Sequence, residues 1–282
     1  MAFEFRKISD VGTSHPVVAR LGSQTVEVLN WLDTDKANKN AIVELYLEIL
    51  TQRLLRCHKI RNDLVDKVDD ALHKYAEQKD ARTREVPHVI GLQELAEEFL
   101  YQAKNFLRDL LKLFRITYDC ELKDASAFAD LKNKGDSDVV KWGIATFGPD
   151  HELTRVLRTE QEWAGEIIRM RNAVEHPGGH SGNLTLLNIR VQPNGYIPPT
   201  WELTGRVESS ILCDMDTELH NMLTLAEELL VHVVMHKTKF KEIAFYEIPL
   251  GKRRPECPIR FRVGFSPEME ARLGRASEES AG

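Results

Sequence analysis

The stretch 169–180 reads Arg-Met-Arg-Asn-Ala-Val-Glu-His-Pro-Gly-Gly-His, and it places three chemically useful side chains within six residues. The imidazole of His176 can act as a base or an acid near neutral pH. The guanidinium of Arg171 can contact two phosphate oxygens at once. Asn172 adds an amide next to the arginine. These residue types could bind a phosphate group and move protons at it.

The local sequence predicts that this stretch ends a helix. Pro177 disfavours the α conformation for His176, and the two glycines that follow allow a sharp turn. In a continuing helix, Arg171 and His176 would point about 140° apart. Because the helix ends at His176, its ring can turn back toward Arg171 and Asn172. We therefore predict a cation, an amide and an imidazole around one helix end.

Neighbouring residues could support this group, although a simpler explanation also accounts for it. Glu175 lies four residues after Arg171 and could hold it by an i, i+4 ion pair, while Asn172 could orient the His176 ring. Arg169 adds a further positive charge. The alternative is a helix cap, since arginine and histidine at a helix C-terminus complement its dipole and its unpaired carbonyl groups. The residues alone leave both interpretations open.

Composition indicates a globular protein with a sizeable core. The 282 residues are 42% hydrophobic and 29% charged, and the net charge of −6 excludes a strongly basic surface for duplex nucleic acid, so any such contact is local. Four cysteines without a CxxC pair indicate reduced thiols in the cytoplasm. No apolar run approaches the roughly 20 residues that a membrane span needs, and the first six residues lack the apolar region expected of a signal peptide.

Apolar residues at spacings of three and four predict long helices. They cover residues 38–78, 90–116, about 150–175 and about 210–237. The first two should pack antiparallel as a helical hairpin, and Asp150 is the predicted N-cap of the third. Weaker patterns predict a short strand around Phe3 and Phe5, a helix over 16–32 that breaks at Gly22, and helices over Asp124–Leu131 and Asp136–Phe147.

Two segments change to the alternating pattern of β-strands. Residues 183–205 carry Asn194-Gly195 between two alternating runs, which predicts a hairpin, and Pro198-Pro199 indicates that its second strand lies at an edge. Residues 241–265 predict a second hairpin. Its loop carries Lys252, Arg253 and Arg254, which could bind phosphate groups or could be an ordinary solvated loop. Residues 266–282 are expected to be a disordered tail.

The segment Arg171-Asn172-Ala173-Val174-Glu175-His176 resembles the signature motif of the HEPN superfamily, an arginine and a polar residue followed by a histidine. The resemblance covers roughly residues 38–237. The same spacing occurs in Arg53–His58 and a spacing one residue longer in Arg82–His88, but only the 171–176 copy combines a helix end, a polar second residue and a turn. The resemblance implies a helical bundle. Together with the residue patterns above, it predicts a mainly α fold of long antiparallel helices with two small β-hairpin additions, in a single HEPN-like domain over residues 1–265.

The same resemblance implies a function. HEPN proteins are typically metal-independent endoribonucleases without a cofactor, acting as homodimers that place two motifs across a shared cleft. Arg171 and His176 would be catalytic with Asn172, and Glu175 and Arg169 would support them. We therefore expect an HEPN-type ribonuclease that acts on RNA, such as a toxin or defence effector. The alternative is a non-catalytic HEPN-like dimer that binds or regulates a partner, for example an antitoxin.

Overall fold

The computed structural model of the chain describes residues 11–78, 85–130 and 135–272. The expected strand around Phe3 and Phe5 and the alternative motif residue Arg82 lie outside these segments. The described chain is mainly helical with small antiparallel sheets, as predicted. It divides into two compact units: unit 1 contains residues 1–52, 112–121 and 223–282, and unit 2 contains residues 53–111 and 122–222. The prediction of one HEPN-like domain over residues 1–265 stays a prediction.

The predicted long helices are present. The α-helices of the described chain are α1 (Pro16–Val18), α2 (Gln24–Leu29), α3 (Lys36–Val43), α4 (Thr51–Glu77), α5 (Leu92–Leu110), α6 (Lys112–Tyr118), α7 (Asp138–Phe147), α8 (Glu152–Glu175) and α9 (Ile211–Lys237). Two π-helical segments, Ala19–Ser23 and Glu44–Leu50, and a 3₁₀ turn at Ala125–Phe128 lie between some of them. Most of α4 and the first half of α9 belong to unit 2.

In unit 2, α4 and α5 run antiparallel, as the sequence predicted. Arg53 contacts Asp109, Arg56 contacts Glu98, and Lys67 donates to the carbonyl of Ile90. The partner number falls as the position along α4 rises, which is the order that antiparallel helices give. α5 packs on α8, and α5 carries one large apolar face. That face is buried and consists of Ala96, Phe99, Leu100, Ala103, Phe106, Leu107 and Leu110.

Several helix boundaries differ from the prediction. Gly22 does not break its helix, because it lies in the π-helical segment between α1 and α2 where a Cβ would meet nothing closer than 4.0 Å. The predicted helix 90–116 is interrupted at Leu111, although the backbone of this residue keeps α-helical angles. Of the predicted helix Asp124–Leu131, the described residues 124–130 form only the short 3₁₀ turn, and Leu131 lies outside the described segments.

The first β-region is more divided than a simple hairpin. β1 (Leu184–Leu187), β4 (Thr200–Leu203) and β5 (Ser209–Ser210) form one sheet, and β2 (Arg190–Gln192) and β3 (Gly195–Ile197) form a separate ladder around Asn194. The predicted second strand is present as β3, which pairs only with β2, and β4, which lies between β1 and β5, so the edge prediction was wrong for β4 alone. Pro198 and Pro199 instead lie between β3 and β4, where their missing N–H groups cost no ladder hydrogen bond.

In unit 1, the second predicted hairpin is present as β6 (Ile243–Glu247) and β7 (Phe261–Phe265), with Ile243 opposite Phe265. Residues 267–272, which belong to the predicted tail, are helical. Ser266 starts this helix: its hydroxyl accepts a hydrogen bond from the N–H of Met269 at 3.3 Å, and Pro267 suits the first helical position. Residues 273–282 lie outside the described segments.

Candidate functional site

The end of α8 has the predicted local geometry. His176 leaves the helix with φ −135° and ψ 70°, and its N–H still donates to the carbonyl of Asn172 at 2.9 Å. The imidazole belongs to an exposed residue. Gly178 has φ +72°, and the N–H of Gly179 returns to the carbonyl of His176 at 2.9 Å. A Cβ at Gly179 would also lie only 2.9 Å from that carbonyl oxygen, so this turn requires its glycines.

The beginning of α8 differs from the prediction in one residue. The N-cap is His151 and not Asp150, because the Nδ1 atom of His151 accepts a hydrogen bond from the N–H of Leu153 at 3.2 Å. The His151 ring also stacks on Phe147, with the ring centroids 4.8 Å apart. This histidine therefore has a structural role at the opposite end of the helix from His176.

Arg171 is held in a defined position on the side of α8. Its Nη2 atom lies 3.0 Å from Oε1 of Glu175, which confirms the predicted i, i+4 pair. Its Cζ atom lies 5.5 Å from the centroid of the Tyr101 ring on α5, within the range of a cation–π contact. The side chain is only 15% exposed, and its buried Nε has no hydrogen-bond partner within the described segments.

Lys104, also on α5, joins the same group. Its Nζ atom donates to Oδ1 of Asn172 at 3.0 Å and to Oε2 of Glu175 at 3.1 Å. Glu175 thus accepts from both Arg171 and Lys104. The prediction that Asn172 orients the His176 ring is not supported by the contacts. The side chain of Asn172 accepts from Lys104, and only the backbone carbonyl of Asn172 contacts His176, through its N–H.

We call Tyr101, Lys104, Arg171, Asn172 and Glu175 the α8 cluster. Two cations face one carboxylate, so the cluster carries an excess positive charge close to the exposed His176. Such an arrangement can attract a phosphate group to the cations while an imidazole lies near by. The partly buried guanidinium and its aromatic neighbour keep the arginine in place.

Two members of the cluster were missed by sequence reasoning. Tyr101 and Lys104 are three residues apart and therefore share a face of α5. The exposed fraction of Tyr101, 48%, is unusual for an aromatic residue on a helix with such a large buried face. The sequence contained the i, i+3 spacing of these residues, but it did not show that α8 would be their neighbour.

Arg169 does not join the cluster. Two residues before Arg171, it points about 200° around the helix from it. Its Nη2 atom instead lies over Gly165, 3.8 Å from where a Cβ at that glycine would be. The structure therefore places Arg169 on another side of α8. Among the described residues, no contact with the cluster supports a role for Arg169 in it.

The basic loop residues belong to unit 1. Arg253 is mostly buried and holds its own loop, since it donates to the carbonyl of Ile248 at 2.9 Å and pairs with Glu247 at 3.0 Å. Arg254 lies 3.9 Å from Glu256, and Lys252 is exposed. Phosphate binding at this loop stays a prediction.

The competing motif copy at Arg53–His58 lies inside α4, as predicted. Arg53 is bound to Asp109 at 3.3 Å and to Gln102 at 2.9 Å. Its guanidinium therefore links α4 to α5, and the helix continues through His58 to Glu77 without a turn. This copy has the spacing of the motif without a helix end.

No family model, curated protein or solved structure matches this chain. Within residues 11–78, 85–130 and 135–272, no group of three or more histidine, cysteine, aspartate or glutamate residues is placed to bind a metal ion. None of the helices in these segments is long and apolar enough to cross a bilayer.

Proposed function

We propose that this chain is a metal-independent endoribonuclease of HEPN type, built on a helical bundle and acting as a homodimer. The proposal rests on the resemblance of residues 171–176 to the HEPN motif. The observation that supports it best is the position of Arg171, whose guanidinium is fixed by Glu175 and Tyr101 one turn before the exposed His176.

The proposed reaction is the attack of a ribose 2′-hydroxyl on the neighbouring phosphorus. A bond forms from O2′ to phosphorus and the bond to O5′ breaks, which leaves a 2′,3′-cyclic phosphate and a 5′-hydroxyl end. A base takes the proton of the 2′-hydroxyl, and an acid protonates the leaving O5′. The second motif of a homodimer would supply the second imidazole, so that one His176 serves as base and the other as acid.

The cations have a separate task in this reaction. The phosphorane formed during the attack carries more negative charge than the starting phosphate, and fixed positive groups stabilise it. Arg171 suits this task through its planar guanidinium, and Lys104 adds a second positive charge 3.1 Å from the same Glu175 carboxylate. We propose that RNA phosphate competes with Glu175 for these two cations.

A second candidate function is a non-catalytic HEPN-like dimer that binds or regulates a partner protein. The observation in its favour is that Glu175 and Asn172 satisfy both cations internally. A cluster of this kind can have the purely structural role of stabilising the C-terminal end of α8 and its packing against α5. In that case His176 is a helix cap, and its removal affects stability only slightly.

The experiment that separates these functions is RNA cleavage by the wild-type chain and by His176→Ala, with folding checked by thermal melting. A role as toxin or defence effector and an antitoxin-type partner follow from the resemblance, and a cytoplasmic location follows from the cysteines without a CxxC pair. All three are part of the proposal. Each of them can be tested once RNA cleavage by the chain has been measured.

A further inference from the structure

A second region of unit 2 has an unusual concentration of negative charge. A pocket of about 440 Å³ is lined by α8, the first turns of α9 and the loop between β4 and β5. We call it the acidic pocket, and its main lining residues are Glu166, Met170, Arg206, Val207, Asp214 and Glu218. Three of these six are carboxylic acids, and Arg206 is the one cation among the described lining residues.

Glu218 is the residue that stands out. It is only 7% exposed, and its Oε2 atom is buried without a hydrogen-bond partner among the residues that the structure describes. Its carboxyl group has a side-chain hydrogen bond with Asn221. A buried carboxyl oxygen that no donor contacts is unfavourable, because the oxygen has lost its hydrogen bonds to water without replacement. Such an atom on a pocket wall indicates a partner that comes from outside the chain.

The other two acids are already engaged. Asp214 accepts hydrogen bonds from the indole Nε1 of Trp201 at 2.6 Å and from the hydroxyl of Ser209. Glu166 faces Nη2 of Arg206 at 3.5 Å. Their negative charges remain close to Glu218, so the pocket has an unbalanced negative potential that Arg206 neutralises only in part.

The electrostatics agree with this description. Burial, followed by the charge of Asp214 and then of Glu166, raises the pKa of Glu218 to about 8, and Glu160 adds to the same effect. At neutral pH the Glu218 carboxyl therefore holds a proton. A positive charge that enters the pocket favours the ionised form and releases this proton to the solvent.

We propose that the acidic pocket binds a small organic cation, a primary ammonium or guanidinium group on a short alkyl chain. Its N–H groups would supply the donor that Oε2 of Glu218 lacks, and its charge would offset part of the negative charge of the three acids. Met170 and the 90% exposed Val207 offer apolar contact for the alkyl chain. A bare metal ion suits the pocket less well, since no metal-binding group of acids lies within the described segments.

The test is titration calorimetry of the full chain with putrescine and agmatine as free cations, and with Nα-acetyl-lysine amide and Nα-acetyl-arginine amide as side-chain mimics. We expect saturable binding at pH 7 with a heat that depends on the ionisation enthalpy of the buffer, which reports proton release. Tighter binding of the free cations indicates a metabolite as the natural ligand, whereas tighter binding of the amides indicates a protein side chain.

Two variants make the result decisive. Glu218→Gln cannot ionise, and we expect it to weaken binding by roughly tenfold or more and to abolish the buffer dependence. Arg206→Ala removes the competing cation, and we expect tighter binding. Glu162→Gln, an exposed residue of α8 outside the pocket, is the control and should bind as the wild type does.

Two outcomes would overturn the proposal. One is the absence of saturable binding for all four probes, and the other is equal affinity in wild type and Glu218→Gln. If Glu218→Gln does not fold, Arg206→Ala still tests the pocket, because unchanged affinity in that variant contradicts the assignment. None of these readouts depends on RNA cleavage, so this proposal and the ribonuclease proposal succeed or fail separately.

Discussion

Nη2 of Arg171 lies 3.0 Å from Oε1 of Glu175, one helical turn further along α8. The other oxygen of this carboxylate accepts from Lys104, so a single acid binds both cations of the α8 cluster. In the proposed nuclease, RNA phosphate must compete with this acid. The two explanations of the cluster therefore differ at this pair: the catalytic one requires phosphate to replace Glu175, and the purely structural one requires the pair to stay intact.

The first prediction concerns this competition. Glu175→Gln removes the carboxylate that binds Arg171 and Lys104, so we expect tighter RNA binding. The affinity should also depend more steeply on salt concentration, because about one more phosphate contact forms. Loss of the i, i+4 pair should lower the free energy of unfolding by only about 0.2–0.5 kcal/mol. Fluorescence anisotropy with a labelled RNA at several salt concentrations measures the effect. Glu162→Gln on the same helix is the control, and equal affinities in the two variants would speak against competition.

The second prediction concerns Lys104. Its contacts with Asn172 and Glu175 position α8 against α5, and its charge adds to that of Arg171. We expect Lys104→Ala to reduce the rate of RNA cleavage by up to roughly 10²-fold through misplacement of the site and loss of charge. Lys104→Arg should recover part of the rate. The control is Lys59→Ala, which breaks an exposed i, i+4 pair with Asp63 in the same unit. A similar loss in both alanine variants would mean that Lys104 has no specific role.

The third prediction concerns pH. The pKa of Glu218 is raised to about 8 in the folded chain by burial and by Asp214, whereas the pKa of a glutamate in the unfolded chain is about 4.3. Between pH about 4.3 and about 8, the folded chain holds a proton on Glu218 that the unfolded chain has released. The free energy of unfolding therefore falls as pH rises through this range, and the contribution of Glu218 stays constant above about pH 8. Glu218→Gln should therefore lose stability less steeply over this range. Thermal melting across the range, with Glu162→Gln as control, measures the difference, and parallel curves for all three proteins would contradict the assigned pKa.

The fourth prediction concerns metal. Arg171 and Lys104 supply the positive charge in the proposed reaction, so EDTA should leave the rate of RNA cleavage unchanged. The products should carry 2′,3′-cyclic phosphate and 5′-hydroxyl ends, which mass spectrometry of the fragments identifies. Activity that disappears with EDTA and returns with magnesium would indicate a different chemistry.

Local features of the site were predictable from the sequence because they depend on neighbouring residues. Pro177 and the glycines after it determine where α8 ends, and the spacing of Arg171 and Glu175 determines their ion pair. The contacts of Tyr101 and Lys104 were not predictable, since they depend on which face of α5 meets α8. The same limit applies to Asn172, whose side chain is bound by a lysine 68 residues away in the chain.

The fold shows the same division. Hydrophobic periodicity predicted the long helices, because burial of an apolar face determines them. It did not predict that β4 would lie between two strands, because β5 is only two residues long and carries no alternating pattern. It also missed the acidic pocket, since Glu166, Asp214 and Glu218 come from two helices that are far apart in sequence.

The central claim is that His176 handles protons in RNA cleavage, and the most direct test is the cleavage rate of His176→Ala beside the wild type. The account predicts a fall of roughly 10²–10⁴-fold with a thermal melting curve close to that of the wild type. Arg171→Ala should fall similarly and Arg171→Lys should recover little. Arg53→Ala and His58→Ala, which share the spacing inside α4, should keep most of the activity if they remain folded. Equal cleavage by His176→Ala and wild type would contradict the ribonuclease and leave the non-catalytic dimer as the better account.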